Sequence, residues 1–308
     1  MSLIDSPILV LGHSGQVAQA LQTLLRPIDN KNLPHYPASI FLNREKADFT
    51  NPNAVIDQLE KLQPGIIINT VAYTTVDKAE SEPQIADLVN HTTPAAIAAW
   101  VAQNNKTLVH YSTDYVYEGT GDKPRAEEAS TGPLSVYGQT KLAGDVAIQQ
   151  SGARALILRT SWVYSHQGKN FFRTMLKLGA EREELNIVND QVGSPTYAPD
   201  LAAMTLQILN HTGFQQQLKG TDIYHVCGSG YASWFDFATE IFRLASQFHH
   251  PLKVKRIHPI LSVQYPTPAQ RPLNSRLDQS KLQNNFNLTM PHWKNSLVQA
   301  FQNLDHSS

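Results

Sequence analysis

Short apolar runs alternate with segments whose apolar residues recur at helical spacing through the first half of the chain. The runs predict five strands, at residues 7–12, 39–43, 65–72, 107–113 and 155–161. The segments between them predict helices at residues 15–27, 51–62, 84–104 and 136–150. Strands this apolar are typical of a parallel sheet that helices cover on both faces. The pattern therefore predicts an α/β fold built on a Rossmann-type, doubly wound parallel sheet.

The pattern changes after about residue 165, where elements become irregular and tyrosine, proline and polar residues increase. We therefore expect an NAD(P)-binding Rossmann domain over residues 1–165 and a smaller substrate-binding lobe over residues 166–308. No clean linker separates the two, so we expect them to interleave. The chain is expected to return to the first domain near residues 198–220, starting with a helix that begins around Pro199.

Composition excludes several classes of protein. The 308 residues carry a formal net charge of −1, so no global basic field attracts nucleic acid or an anionic membrane. No apolar run approaches the roughly 20 residues that span a bilayer, and the N-terminal segment lacks the features of a secretory signal. The single cysteine, Cys227, cannot form an internal disulfide and is best interpreted as a small buried residue. These features favour a cytoplasmic protein.

Ligands of an open α/β sheet bind at the carboxyl ends of its strands, so the residues there carry the candidate chemistry. Gly12, Gly15 and Ala18 follow the first strand at a wider spacing than the usual dinucleotide fingerprint. Glycines let the backbone approach a pyrophosphate at the N-terminus of the next helix. A simple strand-to-helix turn would use the same small residues. This loop alone leaves both interpretations open.

Asn43 and Arg44 follow the second strand, where an acidic residue usually binds the ribose of NAD. An arginine at this place accommodates the 2′-phosphate of NADP, and His13 could add positive charge. The pattern favours NADPH over NADH, although an exposed arginine without a specific contact would give the same sequence.

Tyr137 and Lys141 lie one turn apart on one face of the fourth predicted helix. A neighbouring ammonium lowers the pKa of a tyrosine, and such a pair can protonate a carbonyl oxygen as hydride reaches the carbon. Thr113, at the end of the fourth strand, would hydrogen-bond the same oxygen. A Tyr-x-x-x-Lys pattern alone is common on surface helices. Its position after a strand that ends in Ser-Thr favours the catalytic interpretation.

Three further motifs follow the glycine loop in order: STDYVY (112–117), RTSWVY (159–164) and RPLNSRL (271–277). Together they resemble the extended short-chain dehydrogenases/reductases and, within them, the dTDP-4-dehydrorhamnose reductases. The resemblance runs from residue 8 to about residue 280. It implies the reduction by NADPH or NADH of the C4 keto group of dTDP-4-dehydro-L-rhamnose, a dTDP-linked 4-keto-6-deoxy sugar, to dTDP-L-rhamnose.

The resemblance also implies roles for single residues. Tyr137 is then the proton donor, Lys141 its partner and a ribose ligand, and Thr113 the third member of the set. With the loop residues discussed above, the expected cofactor contacts are Gly12, His13, Gly15, Gln16, Val17, Asn43, Arg44, Asp48, Phe49, Val71, Ala72, Tyr73, Tyr137 and Lys141. The expected sugar contacts are Thr74, Val76, Tyr115 and Trp162, and the expected diphosphate contacts are Asn170 and Arg271. Ordinary packing is the alternative explanation for Tyr115 and Trp162.

Some relatives form dimers through a magnesium ion that glutamates hold at the interface. The corresponding positions here are Ala20, Pro199 and Lys294, none of which offers a carboxylate to a hard cation. We therefore expect no metal and either a monomer or a homodimer without magnesium.

Other functions stay open at this point. Another nucleotide-sugar reductase or an epimerase of the same superfamily would share most motifs. A dehydratase would need a second acid after Asp114, where Tyr115 stands. A non-catalytic regulatory subunit could keep the fold, although it would not need the complete set of Thr113, Tyr137 and Lys141.

Overall fold

The computed structural model describes residues 7–26, 39–211 and 218–305. Its strands are β1 (Ile8–Leu11), β2 (Ser39–Leu42), β3 (Ile66–Asn69), β4 (Thr107–Thr113), β5 (Arg154–Thr160), β6 (Val163–Tyr164), β7 (Glu184–Val188), β8 (Val192–Gly193), β9 (Thr196–Tyr197), β10 (Thr221–His225), β11 (Ala232–Ser233), β12 (Arg256–Ile260) and β13 (Asn274–Ser275). Its α-helices are α1 (Gln16–Leu24), α2 (Pro52–Leu62), α3 (Val76–Ala79), α4 (Pro83–Asp87), α5 (Thr93–Gln103), α6 (Val136–Gln150), α7 (Phe171–Glu181), α8 (Ala198–Asn210), α9 (Trp234–Gln247), α10 (Ser280–Phe286) and α11 (Trp293–Asp305).

Six parallel strands form the central sheet in the order β2-β1-β3-β4-β5-β10. The chain moves outward from β1 to β2 and then crosses back to β3, so the strand order reverses between β1 and β3. Carboxyl ends diverge at such a reversal and leave a crevice in which ligands of doubly wound folds bind. The predicted Rossmann-type fold is confirmed, and this crevice is where its site is expected.

Two apolar layers cover the sheet, one on each face. One layer joins residues of α1, α8 and α10 to side chains such as Val10, Ile68 and Leu158. The other joins α2 and α5 to Leu9, Ile67 and other residues of the same strands. Successive strand residues point to opposite faces, so a strand buried on both sides must be apolar throughout. This constraint explains why the strands could be predicted from the sequence.

Element boundaries follow the predictions with three differences, the first being that the helix predicted at 15–27 ends at Leu24. The strand predicted at 65–72 ends at Asn69, and the helix predicted at 84–104 divides into α4, a π-helical turn (Leu88–Thr92) and α5. Asn51 caps α2 with its side chain, which accepts from the Ala54 N–H at 3.4 Å. Pro27, the predicted end of the first helix, lies outside the described residues, as does the N-terminal segment 1–6.

The later part of the chain forms a second core and also returns to the sheet. Aromatic and aliphatic residues of α7, α9 and α11 pack around Phe237 and Phe301, which are fully buried. Helix α8 packs on α1, and β10 pairs with β5 at the edge of the central sheet. Within the predicted return segment 198–220, residues 212–217 lie outside the described part. None of the helices in the described ranges is both long enough and apolar enough to cross a bilayer.

A buried ion pair fixes α6 on the sheet. Asp145 of α6 accepts from the Arg159 Nε–H of β5 at 3.0 Å, and the two side chains are 0% and 3% exposed. Ser112 of β4 also donates to Asp145, at 2.9 Å, and a second Arg159 nitrogen donates to the Tyr117 hydroxyl. Because both charges are desolvated, removal of one partner would leave the other uncompensated.

We expect Asp145→Ala to lower the free energy of unfolding by about 3–5 kcal/mol, since it leaves the Arg159 guanidinium buried without its carboxylate. Urea unfolding of the variant measures this loss. Glu240→Ala is the control, because Glu240 pairs with Arg243, whose side chain is 56% exposed. This change should cost less than about 1 kcal/mol. Equal losses in the two variants would contradict a special role of the buried pair.

Candidate active site

The turn after β1 is shaped by its first glycine. Gly12 has φ +111°, and a Cβ at this position would collide with the Thr70 hydroxyl that follows β3. Its N–H donates to the carbonyl of Leu42 in β2, at 2.9 Å. This residue must therefore be glycine for both conformational and spatial reasons. The turn lies at the reversal of strand order, beside the residues that follow β3.

The N-terminus of α1 opens into free space. Gly15 is the N-cap, no side chain caps the helix, and the first turn contains no acidic residue. A Cβ added to Gly15 would meet no atom within 4 Å. Unpaired N–H groups and the positive end of the helix dipole are thus accessible to an anion. This arrangement fits the pyrophosphate of a dinucleotide; Val17 lies half-buried in the same turn, and His13 is exposed just before it.

The loop after β2 keeps its polar residues at the surface. Arg44 is 81% exposed, and its Nε lies 3.7 Å from Asp48 Oδ1. Two hydrogen bonds from Thr50, with the nearby Arg44 charge, lower the pKa of Asp48. Asn43 turns its side chain to its own loop, where Oδ1 accepts from the Lys46 N–H. Among the described residues, the guanidinium has only this longer contact with Asp48, so it can reach a phosphate.

Phe49 differs from its neighbours because its side chain is buried in the core. Its carbonyl accepts from the hydroxyl of Thr93, which is also buried, at 2.7 Å. The part of Phe49 that could face an adenine is therefore its backbone.

Val71, Ala72 and Tyr73 follow β3 in a half-buried loop held by a buried asparagine. Asn90, in the π-helical turn, accepts from the Tyr73 N–H at 2.8 Å and donates to the Tyr73 carbonyl and to Thr140 of α6. This amide joins the loop to α6. The Tyr73 hydroxyl donates to Glu82 at 2.6 Å and so points away from the loop.

Tyr137 lies in the first turn of α6, which Ser135 caps by accepting from the Gly138 N–H. Burial raises the pKa of Tyr137, and a hydrogen bond with Thr113 opposes this effect. Thr113 ends β4, where its hydroxyl also accepts from the Tyr115 N–H at 3.2 Å. The structure thus brings two members of the predicted set together, with the phenol protonated and ready to donate.

Lys141 is held differently from what the sequence suggests. Its Nζ is 2.7 Å from the Tyr111 carbonyl and 3.0 Å from His110 Nε2, and the side chain is almost completely buried. Burial lowers the pKa of Lys141 to about 8, and the nearby Asp145 opposes this shift. Burial dominates the pKa of Tyr137 and raises it, so the effect of a lysine charge on this phenol stays a prediction.

Tyr115 and Arg271 lie in one chain of contacts with Tyr137. The rings of Tyr115 and Tyr137 meet edge to face, with centroids 5.4 Å apart. Arg271 donates to Asp77 of α3 at 2.7 Å and lies 3.4 Å from the Tyr115 hydroxyl. This ion pair joins the loop before β13 to helix α3. Thr74 is exposed and Val76 half-buried at the start of the same short helix.

Trp162 has an unusual backbone and a large aromatic partner. Its φ is +48°, which is rare for a bulky residue, and its indole stacks on Trp234 with centroids 3.6 Å apart. Trp234 and Phe171 line a cleft of about 1140 Å³ between α7, β7 and the loop before β13. Arg271 lines the same cleft. Its volume and mixed lining suit a nucleotide-sized ligand.

Asn170 and Gln16 link the cofactor side to this cleft. Asn170 caps α7 by accepting from the Arg173 N–H, and its Nδ2 donates to Gln16 Oε1 at 2.8 Å. The N-termini of α1 and α7 are therefore neighbours. Asn170, predicted at a diphosphate, and Gln16, predicted at a pyrophosphate, contact each other.

Four further residues were missed from the sequence: Asn69, His110, Asn90 and Trp234. Asn69 and His110 are polar residues at the end of and within apolar strands, and that contrast was a signal in the sequence. The other two depend on contacts between distant segments. Across the described ranges, no three His, Cys, Asp or Glu side chains lie close enough together to hold a metal ion.

The parallel sheet, its glycine turn and the Thr113, Tyr137 and Lys141 side chains define an extended short-chain dehydrogenase/reductase. Comparison with known proteins narrows this class. The family model described as RmlD substrate binding domain matches residues 6–306. The chain is 43% identical over 287 residues to dTDP-4-dehydrorhamnose reductase of Escherichia coli (strain K12), covering 93% of this chain and 94% of that protein. The chain therefore belongs to the dTDP-4-dehydrorhamnose reductase family.

Two solved structures of dTDP-4-dehydrorhamnose reductases are similar to this chain along nearly its whole length. Dehydrorhamnose reductase from Bacillus anthracis, in complex with NADP, superposes with a TM-score of 0.86 at 32% identity, covering 98% of this chain and 100% of that one. The orthologue from Clostridium acetobutylicum gives a TM-score of 0.85 at 33% identity, covering 97% and 99% of the two chains.

We expect Gly15→Ala to weaken NADPH binding about 10–100-fold without loss of stability. The added Cβ occupies the space before α1 and would cost the pyrophosphate a charge-assisted hydrogen bond of about 1.5–3 kcal/mol. Fluorescence titration gives the Kd, and a thermal melt gives the stability. Gly220→Ala, at another glycine with open space around it, is the control and should bind normally. Unchanged binding by Gly15→Ala would remove the N-terminus of α1 as the pyrophosphate site.

Proposed function

We propose that this protein transfers hydride from NADPH to C4 of dTDP-4-dehydro-L-rhamnose and releases dTDP-L-rhamnose. The observation that carries the proposal is the pairing of Tyr137 with Thr113 at the carboxyl end of β4. The chain is a member of a family whose curated relatives bear the name of that reductase. NADPH supplies the hydride when it is bound.

Tyr137 is the proton donor in this proposal. As C4 gains the hydride, the π electron pair of the carbonyl moves to the oxygen, which takes the phenol proton of Tyr137. Burial raises the pKa of Tyr137, so the phenol is protonated at neutral pH and has its proton available. The Thr113 hydroxyl donates to the same oxygen as negative charge develops on it.

The remaining residues hold the two ligands. We assign the pyrophosphate to Gly12, Gly15, Gln16 and Val17 and the nicotinamide half to the loop 71–73. Lys141 would hold the ribose. Thr74, Val76, Tyr115 and Trp162 would face the sugar, and Asn170 and Arg271 the nucleotide diphosphate. Arg271 is paired with Asp77 through Nη2, and its remaining guanidinium N–H groups would donate to the diphosphate.

Arg44 supports NADPH as the preferred cofactor. Its guanidinium is exposed beside the loop that follows β2, and the nearby Asp48 lies too far for a direct hydrogen bond. A 2′-phosphate would find a bidentate donor there. The Bacillus anthracis relative was solved in complex with NADP.

Two finer points belong to the same proposal. Ala20, Pro199 and Lys294 supply no carboxylate, so we infer a monomer or a dimer that needs no magnesium bridge. Cys227 is buried without a disulfide, which is consistent with a reducing, cytoplasmic compartment.

A second candidate is a 4-ketoreductase for a different dTDP-linked sugar. A relative from Streptomyces antibioticus, 34% identical over 85% of this chain, is named probable dTDP-4,6-dihydroxy-2-methyloxan-3-one 4-ketoreductase. The test is oxidation of NADPH and NADH with dTDP-4-dehydro-6-deoxyhexoses generated in place by the upstream enzymes. Turnover with the L-rhamnose precursor supports the proposal, and turnover with another 4-keto sugar alone supports the second candidate. No oxidation with any of them would contradict both.

In the same assay, we expect Tyr137→Phe to lower kcat about 100–10,000-fold, since the oxygen loses its proton donor. The Kd for NADPH should stay within about twofold of wild type. Tyr224→Phe, which alters a buried tyrosine of β10, is the control and should keep full activity. Near wild-type turnover by Tyr137→Phe would disprove its role as proton donor.

We expect Arg44→Ala to raise the KM for NADPH about tenfold or more and to leave that for NADH unchanged. The lost contact is a charge-assisted hydrogen bond to phosphate, and NADH has no phosphate at this place. Steady-state kinetics with both cofactors measure the difference. Lys46→Ala removes an exposed cation of the same loop and serves as the control. An equal effect of Arg44→Ala on both cofactors would rule out selective recognition of the 2′-phosphate.

A further inference from the structure

The backbone of Trp162 is fixed from both sides. This residue connects β5 to β6, and its φ of +48° places a bulky side chain in the left-handed region. The hydroxyl of the preceding residue, Ser161, donates to the Ser194 carbonyl at 2.9 Å. The Trp162 carbonyl accepts from the Thr196 N–H at 3.2 Å. These contacts hold the chain in an otherwise unfavourable conformation, so the direction in which the indole leaves the backbone is set.

The indole of Trp162 is held by two other segments of the chain. One of its faces packs on the ring of Trp234, with centroids 3.6 Å apart and planes 9° from parallel. Gly193 of β8 also packs against the ring, since a Cβ there would lie 2.8 Å from Trp162 Cε2 and 3.0 Å from its Nε1. Space therefore requires glycine at this position. The face of Trp162 that contacts Trp234 is closed to any ligand.

Hydrogen bonds fix Trp234 in turn. Its Nε1–H donates to Gln191 Oε1 at 3.1 Å, and because an indole N–H can only donate, the oxygen end of the Gln191 amide must face it. The amide nitrogen then donates to Ser262 Oγ at 2.9 Å. The Ser262 hydroxyl and N–H both donate to the carboxylate of Asp190. Every donor in this chain meets an acceptor, so hydrogen bonding as well as packing sets the plane of the Trp234 ring.

The supporting residues line the cleft described above, which includes Trp234, Gln191 and Ser262. Phe171 lines it as well and lies against Trp234, with ring centroids 4.5 Å apart. Trp162 is half-buried on the other ring of the stacked pair. A ligand of this cleft that contacts Trp162 therefore meets a surface whose position depends on Trp234.

We propose that Trp234 and Gln191 are positioning residues for the sugar. Gln191 orients Trp234, and Trp234 holds the Trp162 indole in a single orientation that leaves only the rest of its surface for the ligand. The proposal rests on the proposed function, which assigns Trp162 to the sugar. A ring held in this way cannot adapt to a different shape, so the stacked pair makes this part of the site selective for one sugar configuration.

Nuclear magnetic resonance of the full-length protein without ligand tests the stacking. The chain contains four tryptophans, so their ring signals are few, and Trp162→Phe and Trp234→Phe identify the two of interest. Rings stacked at this distance give a nuclear Overhauser signal between their protons. We expect this signal between Trp162 and Trp234 in the wild-type protein. Its absence would overturn the proposal.

Gln191→Met tests the hydrogen bond, because it keeps the length of the side chain and removes the acceptor for the Trp234 Nε1–H. We expect the indole N–H signal of Trp234 to move upfield. Gln264→Met is the control: this glutamine lines the same cleft but accepts from the Leu261 N–H of its own loop. An unchanged signal in Gln191→Met, or an equal change in Gln264→Met, would refute the role of Gln191.

Calorimetry with dTDP-L-rhamnose and with dTDP separates the sugar from the rest of the ligand. We expect Trp234→Ala to weaken binding of dTDP-L-rhamnose about tenfold, which is the worth of a stacked aromatic pair, and to leave binding of dTDP unchanged. Trp234→Phe keeps a ring against Trp162 and should restore most of the affinity. An unchanged Kd for NADPH shows that each variant is folded. An equal loss for both nucleotides would show that Trp234 acts on the nucleotide itself and would overturn the proposal.

The variant that carries both Trp162→Ala and Trp234→Ala tests whether Trp234 acts through Trp162. If it does, the double change weakens dTDP-L-rhamnose binding no more than Trp162→Ala alone. Losses that add would contradict a positioning role. Tight binding of dTDP-L-rhamnose without turnover of any 4-keto sugar would remove the proposed function and leave this inference standing. Turnover by a protein that lacks the signal between the two rings would do the reverse.

Discussion

Helix α6 carries Tyr137 and Lys141, and its position on the sheet depends on the carboxylate of Asp145. Asp145 accepts from Ser112 of β4 and from Arg159 of β5, so a single buried charge joins one helix to two strands. A buried charge tolerates little displacement, because each lost hydrogen bond leaves a desolvated group unpaired. The helix is consequently fixed in rotation and in height. The phenol of Tyr137 can then meet Thr113 at the end of β4, where the chemistry is proposed to occur.

The sequence revealed the parts of this arrangement that follow from local patterns. Strand β4 and helix α6 have the predicted bounds, since an apolar run defines one and Ser135 caps the other. Tyr137 and Thr113 were singled out by the Tyr-x-x-x-Lys spacing, by the strand that ends in Ser-Thr and by the family resemblance. What could not be predicted depends on pairs of distant residues. His110 and Asn69 sit in separate strands and become partners only through the order of the sheet. Arg271 and Asp77 form an ion pair although 194 residues separate them.

The missed contacts share a physical character. Periodicity indicates which side of a helix or strand is apolar. It contains no information about which polar atoms of different elements will form hydrogen bonds. The π-helical turn around Asn90 illustrates the limit, because one extra residue per turn places this amide against the Tyr73 backbone and Thr140. Trp162 is a second case. Neither its left-handed backbone nor the stacking of Trp234 on its indole could be predicted from the sequence. Strained or wide turns of this kind are frequent at the ligand-binding sites of proteins.

The hydrogen bond between Gln16 and Asn170 joins the expected cofactor side of the site to the expected sugar-nucleotide side. One residue begins α1 and the other caps α7, so a ligand that turns Gln16 toward itself breaks a direct contact between the two helix N-termini. Linkage then requires the effect to be mutual: whatever factor the first ligand imposes on the affinity of the second, the second imposes on the first. The molecule therefore contains, in one amide-to-amide contact, the means to make the binding of cofactor and sugar nucleotide cooperative or competitive.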